Sequence, residues 1–323
     1  MDTIPVIDFG LIGTSDKKTS DTEEQWKILS ENVFNALSRI GFMYIIKHGI
    51  PQSKIDHAFA ESEGFFQQPD VIKEKYLIDM SKNYRGYTRP GQQILSHTSF
   101  HEFRECFSIE EPDEAYTVEE TPGLISSIED LRKHCRLPVR QLLRLIAMAL
   151  KLDDEDYFVN NYNGGRLHQD PGLNSSMVRT HYYPPIPEEI QIPANSVRCS
   201  EHTDFGILTF LFQDAMGGLE VKALAGNWIK ANPIRGAILV NTGDIMELWT
   251  GGLFPATPHR VLIPEEEIQK RTKRQSITYF VNPDSETLVS PLSSKLCHGS
   301  GRSFESVIFR DHYQKRLEAS YKY

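Results

Sequence analysis

Residues 207–231, ILTFLFQDAMGGLEVKALAGNWIKA, decide the fold. An apolar run over 207–213 meets a Gly217-Gly218 turn, a second short run starts at Leu219, and Gly226-Asn227 turns the chain again into Trp228. Gly-Gly and Gly-Asn between such runs are hairpin signals, because both supply the positive φ that tight turns need. Working outward, 177–183, 237–241, 260–263 and 276–281 read as further strands. Many short strands spread over about 110 residues indicate a sandwich or barrel, with no room for the helices of βαβ units.

Upstream the texture is different. A short strand over 4–9 leads to a helix over 23–40, where Trp26, Leu29, Val33, Leu37 and Ile40 recur at three- and four-residue spacing. Gly41 stops that helix and 42–46 reads as a strand. A second amphipathic helix covers 51–66. A third covers 125–150, with Val139, Leu143, Ile146 and Leu150 on one stripe and Pro138 marking a break or a fresh start. A last helix covers about 306–321. The expected class is therefore mostly β with flanking helices. The expected organisation is an N-terminal helical/mixed region (1–175) packing on a β core (176–290), with a C-terminal helix (291–323) closing the same domain.

Bulk properties exclude several classes of function. The net charge is −9 and the sequence pI near 5.7, which argues against binding nucleic acid or an anionic membrane. Hydrophobic residues at 39% and charged residues at 24% exclude global disorder. No apolar run approaches the roughly 18 residues that span a bilayer. The opening MDTIPVIDFG lacks the basic and apolar regions of a secretory signal. Cys106, Cys135, Cys199 and Cys297 form no CxxC pair, so reduced, buried thiols are expected. A cytoplasmic monomer is the expectation.

Two His-x-Asp triplets could each offer a nitrogen and an oxygen to one metal, since residues i and i+2 of an extended chain share a side. His168-Gln169-Asp170 lies between Gly164-Gly165 and Pro171-Gly172, a loop composition that holds no ligand geometry. His202-Thr203-Asp204 runs directly into 205–213, a strand expected to fix both ligands. A third ligand should come from a later strand, and His259 opens one. Taken singly, each histidine reads as an ordinary surface or core side chain. Two imidazoles and one carboxylate on one face of a metal leave three positions open, which suits ferrous iron. Arg274-Gln275-Ser276 repeats the i, i+2 pattern, placing a guanidinium beside a hydroxyl as a clamp for a carboxylate. In isolation that arginine would belong to the basic surface stretch Lys270, Arg271, Lys273. Tyr183, before Pro184-Pro185, could place a phenol on the same ligand.

The order of these residues resembles the iron(II)- and 2-oxoglutarate-dependent dioxygenases, in the branch similar to isopenicillin N synthase and the plant flavonoid and gibberellin oxidases. The likeness covers nearly the whole chain. Ile4-Pro5-Val6-Ile7-Asp8-Phe9 resembles the family's opening strand. Gly41-Phe42-Met43-Tyr44 with His48-Gly49-Ile50 resembles its "GFF…NHG(I/V)" segment, and Arg85-Gly86-Tyr87 its central "GY". Tyr182-Tyr183-Pro184-Pro185, His202-Thr203-Asp204, Trp228-Ile229, Asn241-Thr242-Gly243-Asp244, His259-Arg260-Val261 and Arg274-Gln275-Ser276 follow in the family's order. The chain departs from it at His181, where the family has the Asn of "NYYPP", and at the insert Glu265–Lys273.

The resemblance implies a double-stranded β-helix, the cupin-like jelly roll, with iron held by His202, Asp204 and His259. It implies that Arg274 and Ser276, assisted by Tyr183, bind the distal carboxylate of 2-oxoglutarate. The expected activity is dioxygen-dependent oxidation, most simply hydroxylation, of a small organic metabolite, with release of succinate and CO2. Three alternatives stay open at this point: an isopenicillin N synthase-like oxidase that does not use 2-oxoglutarate, a non-catalytic binding member of the fold, and a zinc hydrolase. Substrate-pocket candidates are Tyr87, Phe103, Arg104, Phe107, His181 and Phe280. The family's targets are small metabolites, with a nucleobase such as thymine among them.

Overall fold

Trp26, Leu29, Val33, Leu37 and Ile40 are buried along one face of α1 (Glu23–Ile40), and the helix ends at Gly41 as its spacing requires. Burying a side chain of this size contributes about 1.5–3 kcal/mol, so the stripe alone fixes which way the helix faces. The computed structural model describes residues 3–78, 85–93, 95, 102–110, 116–162, 176–187, 189, 192, 196–263, 272–298 and 302–321. In it α1, α2 (Gln52–Phe66) and the long α4 (Gly123–Ala149) pack together and form one backing layer. Short helices α3 (Asp70–Lys73), α5 (Tyr157–Asn160) and α6 (Asp244–Trp249) join elements, and α7 (Phe309–Ser320) closes the chain.

The helices back an eight-stranded sheet. Its order is β1 (Val6–Asp8), β2 (Phe42–Ile46), β10 (Ala237–Thr242), β7 (Leu208–Gln213), β12 (Arg274–Val281), β5 (Met177–Tyr183), β4 (Glu105–Ile109), β3 (Gly86–Thr88). A four-stranded sheet, β6 (Val197–His202), β11 (His259–Leu262), β8 (Leu219–Lys222) and β9 (Trp228–Lys230), faces its other side, and β13 (Leu288–Val289) pairs with β14 (Val307–Ile308). All pairings except β1 with β2 are antiparallel. This is the two-sheet jelly roll that the family resemblance implies, and it falls within the sandwich-or-barrel class expected from the strand spacing. Residues alternate between its faces: Val178 and Tyr182 of β5 join the helix-backed core, while Tyr183 joins a second core with Cys199, Leu219 and Val261 of the small sheet.

Three expectations need correcting. Helix α4 runs unbroken through Pro138. The proline removes one backbone bond, but Ile128, Leu131, Cys135, Val139, Leu142 and Ile146 around it are each 2% exposed or less, and their burial holds both halves on one axis. Strands β4 and β6 are hidden in the sequence because Glu105, Ser108, Arg198 and Ser200 are buried polar residues that interrupt the apolar pattern, and β3, β13 and β14 because two or three residues are too few to show one. The strand after Asp204 starts only at Leu208, so His202 closes β6 and Asp204 sits in the turn between strands. Among the described residues all four cysteines are buried and free of disulfides, and no helix is long and apolar enough to cross a membrane.

Gly41 is the joint between the helical layer and the sheet. Its φ is +68°, and a Cβ there would meet Thr257 Oγ1 at 2.5 Å and the Pro255 carbonyl at 2.6 Å. Gly49 has a similar φ of +79° with open space around it. Gly41→Ala should therefore lower stability by more than Gly49→Ala, whose cost is the φ strain alone, of order 1–3 kcal/mol. Urea unfolding midpoints of the two variants check the ranking.

Candidate active site

The small sheet brings the triad together. His259, first residue of β11, is the register partner of His202, last residue of β6. The imidazole centroids lie 4.3 Å apart. Nε2 of each ring is 3.8 Å from Asp204 Oδ1, and the three ligand atoms lie within 4.8 Å of one another. His202 Nδ1 is 2.8 Å from the Ser200 carbonyl and His259 Nδ1 is 3.1 Å from the Thr257 carbonyl. A carbonyl only accepts, so each Nδ1 carries the proton and each Nε2 turns a lone pair to the centre. Asp204 Oδ2 accepts from Thr209 Oγ1 and Asn241 Nδ2, both at 2.7 Å, which leaves Oδ1 for the centre.

The electrostatics prepare the same forms. Burial pushes both His202 and His259 below the ordinary imidazole range despite the neighbouring carboxylate. Burial also pushes the Asp204 carboxyl up, but the facing His259 and His202 and the two hydrogen bonds reverse this and hold it below its usual value. At neutral pH the cluster is thus two neutral imidazoles and one carboxylate, the protonation states a divalent metal needs.

The triad opens onto a cavity between the sheets, and the large sheet supplies its opposite wall. Arg274 opens β12 as the register partner of Tyr183 on β5. It is 1% exposed. Its Nε donates to the Gly217 carbonyl at 2.7 Å, and its terminal nitrogens to Ser276 Oγ at 3.4 Å and Gln213 Oε1 at 3.2 Å. The Tyr183 ring lies 4.8 Å from the guanidinium carbon. Among the described residues none of these partners is anionic. A guanidinium this buried with neutral partners is built to receive an acid. Burial pushes the Tyr183 phenol up to about 12, so it stays a neutral donor.

Of the substrate-pocket candidates, Arg104, His181 and Phe280 line the cavity. Tyr87 and Phe107 do not. They lie on the helix-backed face, where Phe107 packs on Phe65 at 4.8 Å between ring centroids and Tyr87 donates to Glu105 Oε2 at 2.6 Å. Phe103 is half-buried outside the lining. His168 and Asp170 fall outside the described residues, as do residues 265–271 of the insert. Lys273 faces away from the cavity and ion-pairs with Glu63.

Sequence reasoning missed Thr209, Asn241 and Arg179, and also the roof. Tyr313 and Leu317 of α7 reach the cavity, and Arg316 of the same helix donates to Thr203 Oγ1 at 2.9 Å, between the first two triad residues. Strand parity could have exposed Arg179, which shares the face of His181 and Tyr183. Asn241 lies in a quoted motif but was assigned no contact.

Comparisons with known proteins agree with this geometry. The 2OG-Fe(II) oxygenase superfamily model matches residues 174–283, and a model described as the N-terminal region of non-haem dioxygenase in morphine synthesis matches residues 4–125. A proline hydroxylase, buaE, from Petromyces alliaceus is 31% identical over 310 residues, covering 90% of this chain and 93% of the relative. Feruloyl CoA ortho-hydroxylase 1 from Arabidopsis thaliana is 28% identical, covering 88% and 74%. The crystal structure of a full-length Neurospora crassa protein in complex with alpha-KG and thymine superposes with a TM-score of 0.83 at 26% identity, covering 98% of this chain and 96% of that one.

Proposed function

Because the chain belongs to the 2OG-Fe(II) oxygenase superfamily and is an Fe(II)- and 2-oxoglutarate-dependent oxygenase, we propose that it hydroxylates a small organic molecule and that His202, Asp204 and His259 hold the ferrous ion. The observation that carries this reading is the pairing, in one cavity, of that triad with the buried Arg274. The donor set fits the ion. Two Nε2 lone pairs and one carboxylate oxygen converge, while every remaining polar atom of the three side chains is engaged by a carbonyl, Thr209 or Asn241. Ferrous iron bound there supplies the activation of dioxygen.

The protein's own part is binding, orientation and exclusion of water. Arg274 and Ser276 take the distal carboxylate of 2-oxoglutarate by charge-assisted bonds, with the neutral Tyr183 phenol beside them. The apolar walls Phe42, Leu211, Leu219 and Val261 keep the space between clamp and triad dry. The hydroxylase relatives support oxygen insertion, with succinate and CO2 as co-products. The triad and the Arg274 clamp both come from the described residues of one chain, which suits a monomer.

A metabolite pool incubated with the protein, ferrous iron, 2-oxoglutarate and ascorbate should yield succinate above the background without pool, one equivalent per oxidised product. Product formed without succinate would establish the oxidase reading instead, and activity restored by zinc in place of ferrous iron would establish the hydrolase.

A further inference from the structure

Arg274 has a counterpart farther along the same sheet face, on the neighbouring strand β5. The inward residues of β5 are Met177, Arg179, His181 and Tyr183, the last beside Arg274. Four residues at about 3.3 Å each place Arg179 roughly 13 Å along the strand from Tyr183. Arg179 is 5% exposed. Its Nε donates to Ser108 Oγ at 2.9 Å, and its terminal nitrogens to Gln93 Oε1 at 3.1 Å and the Tyr321 hydroxyl at 3.3 Å. Those partners, the ones it has among the described residues, are all neutral. Arg104 shares Gln93 Oε1 at 3.4 Å, but its own charge is matched by Glu102 at 3.1 Å. Burial pushes the nearby Glu110 carboxyl up to about 7, although Arg85 and Arg179 both pull it down.

Among the described residues this end of the cavity therefore holds two buried guanidiniums: Arg104 is paired with Glu102, while Arg179 has neutral hydrogen-bond partners and only the largely buried Glu110 carboxyl within reach of its charge. Leaving a buried charge unmatched is costly, and the cost is offset only when something brings the opposite charge. 2-Oxoglutarate is accounted for at Arg274. Thr278 opposes Arg179 across the strand pair, and Met177, Phe205, Phe280 and Leu317 add apolar surface to the cavity lining.

We propose that Arg179 anchors the prime substrate, and that this substrate is a carboxylic acid with an apolar body. The proposal rests on the reading of the cavity as the 2-oxoglutarate-dependent active site. A neutral heterocycle is the competing occupant. Its carbonyls could accept from Arg179, but they would leave the guanidinium fork with neutral partners only, so charge complementarity selects the acid. The carboxylate meets the Arg179 fork, Gln93 fixes that fork against Arg104, and the apolar body lies along Phe280 and Phe205 towards the triad.

The test is calorimetric titration, without oxygen, of the full chain loaded with ferrous iron and saturating 2-oxoglutarate. The probes are phenylacetate, 3-phenylpropanoate and octanoate, the primary amide of each, and thymine and uracil as neutral heterocycles. At least one acid should bind about tenfold or more tighter than its amide and than either heterocycle. Arg179→Gln should erase that preference and Arg179→Lys should restore part of it. An acid-to-amide ratio near one, a heterocycle that binds tightest, no binding by any acid, or an acid preference that persists in Arg179→Gln would each overturn the substrate assignment. The wild-type ratio decides alone if the variants do not fold. Wild-type protein that takes up no 2-oxoglutarate would overturn the active-site reading itself, and this proposal with it.

Discussion

Replacing His202, Asp204 or His259 by alanine is expected to remove bound iron and abolish turnover. Wild-type protein should hold one equivalent of ferrous iron per chain. Loss of an outer-shell partner of a metal site typically costs 10–100-fold in affinity, so loss of a ligand should cost more than about 100-fold. Any of the three changes also leaves two donors with no facial geometry. His168→Ala and Asp170→Ala should keep their iron, because that triplet is not assigned to the centre. Metal analysis of the purified variants, with succinate formation alongside, gives the answer. Iron retained by the His202 variant and lost by the His168 or Asp170 variant would mean that the other triplet is the site.

Arg274→Ala is expected to cripple binding of 2-oxoglutarate and spare that of iron. Arg274 has neutral partners and is almost fully buried, so its removal would leave a ligand carboxylate unmatched in a partly desolvated pocket. Truncating one partner of such a pair costs roughly 2–5 kcal/mol. At about 1.4 kcal/mol per tenfold, affinity should fall about 30-fold or more. Arg274→Lys should recover only part, because an ammonium cannot make the two parallel bonds of a guanidinium. The neighbouring Lys273 pairs with Glu63 on the other side of the strand, and Lys273→Ala should leave 2-oxoglutarate affinity unchanged. Anaerobic titration of 2-oxoglutarate, followed by the visible charge-transfer band, measures all three. An affinity within about threefold of wild type in Arg274→Ala would reduce that residue to a structural arginine.

Much of this was legible in the sequence where one physical signal acted alone. Periodicity set α1 at Glu23–Ile40, the stop at Gly41 set the start of β2 at Phe42–Ile46, and Pro184-Pro185 set the end of β5 at Met177–Tyr183. Adjacent motif residues, His202 with Asp204 and Arg274 with Ser276, are close in the chain and so remain close in space. What escaped depends on two signals in conflict or on contacts between distant elements. Strands β4 and β6 carry buried polar side chains such as Glu105, Ser108, Arg198 and Ser200, and those side chains erased the alternation that marks a strand. With β3 and β4 unread, the face of Tyr87 and Phe107 could not be assigned. Pairing shows that Phe107 opposes Thr180 and therefore looks outward. The hold of Asn241 on Asp204 requires β10 to lie beside β7 in the large sheet, an adjacency that no local pattern encodes.

The alternation along β5 has a consequence for how this chain can change. Odd-numbered residues from Met177 to Tyr183 face the cavity, and Val178 and Tyr182 between them fill the helix-backed core. The strand is in effect read in a two-letter frame. Loss of one residue within it would shift that frame for every residue on one side of the gap, turning cavity residues such as His181 and Tyr183 into the helices while Tyr182 entered the cavity. Site and core would fail together. Exchange at position 179 leaves the frame intact and alters one lining group, with the clamp four residues away untouched. A strand built this way admits new specificities by substitution and closes the route through insertion or deletion.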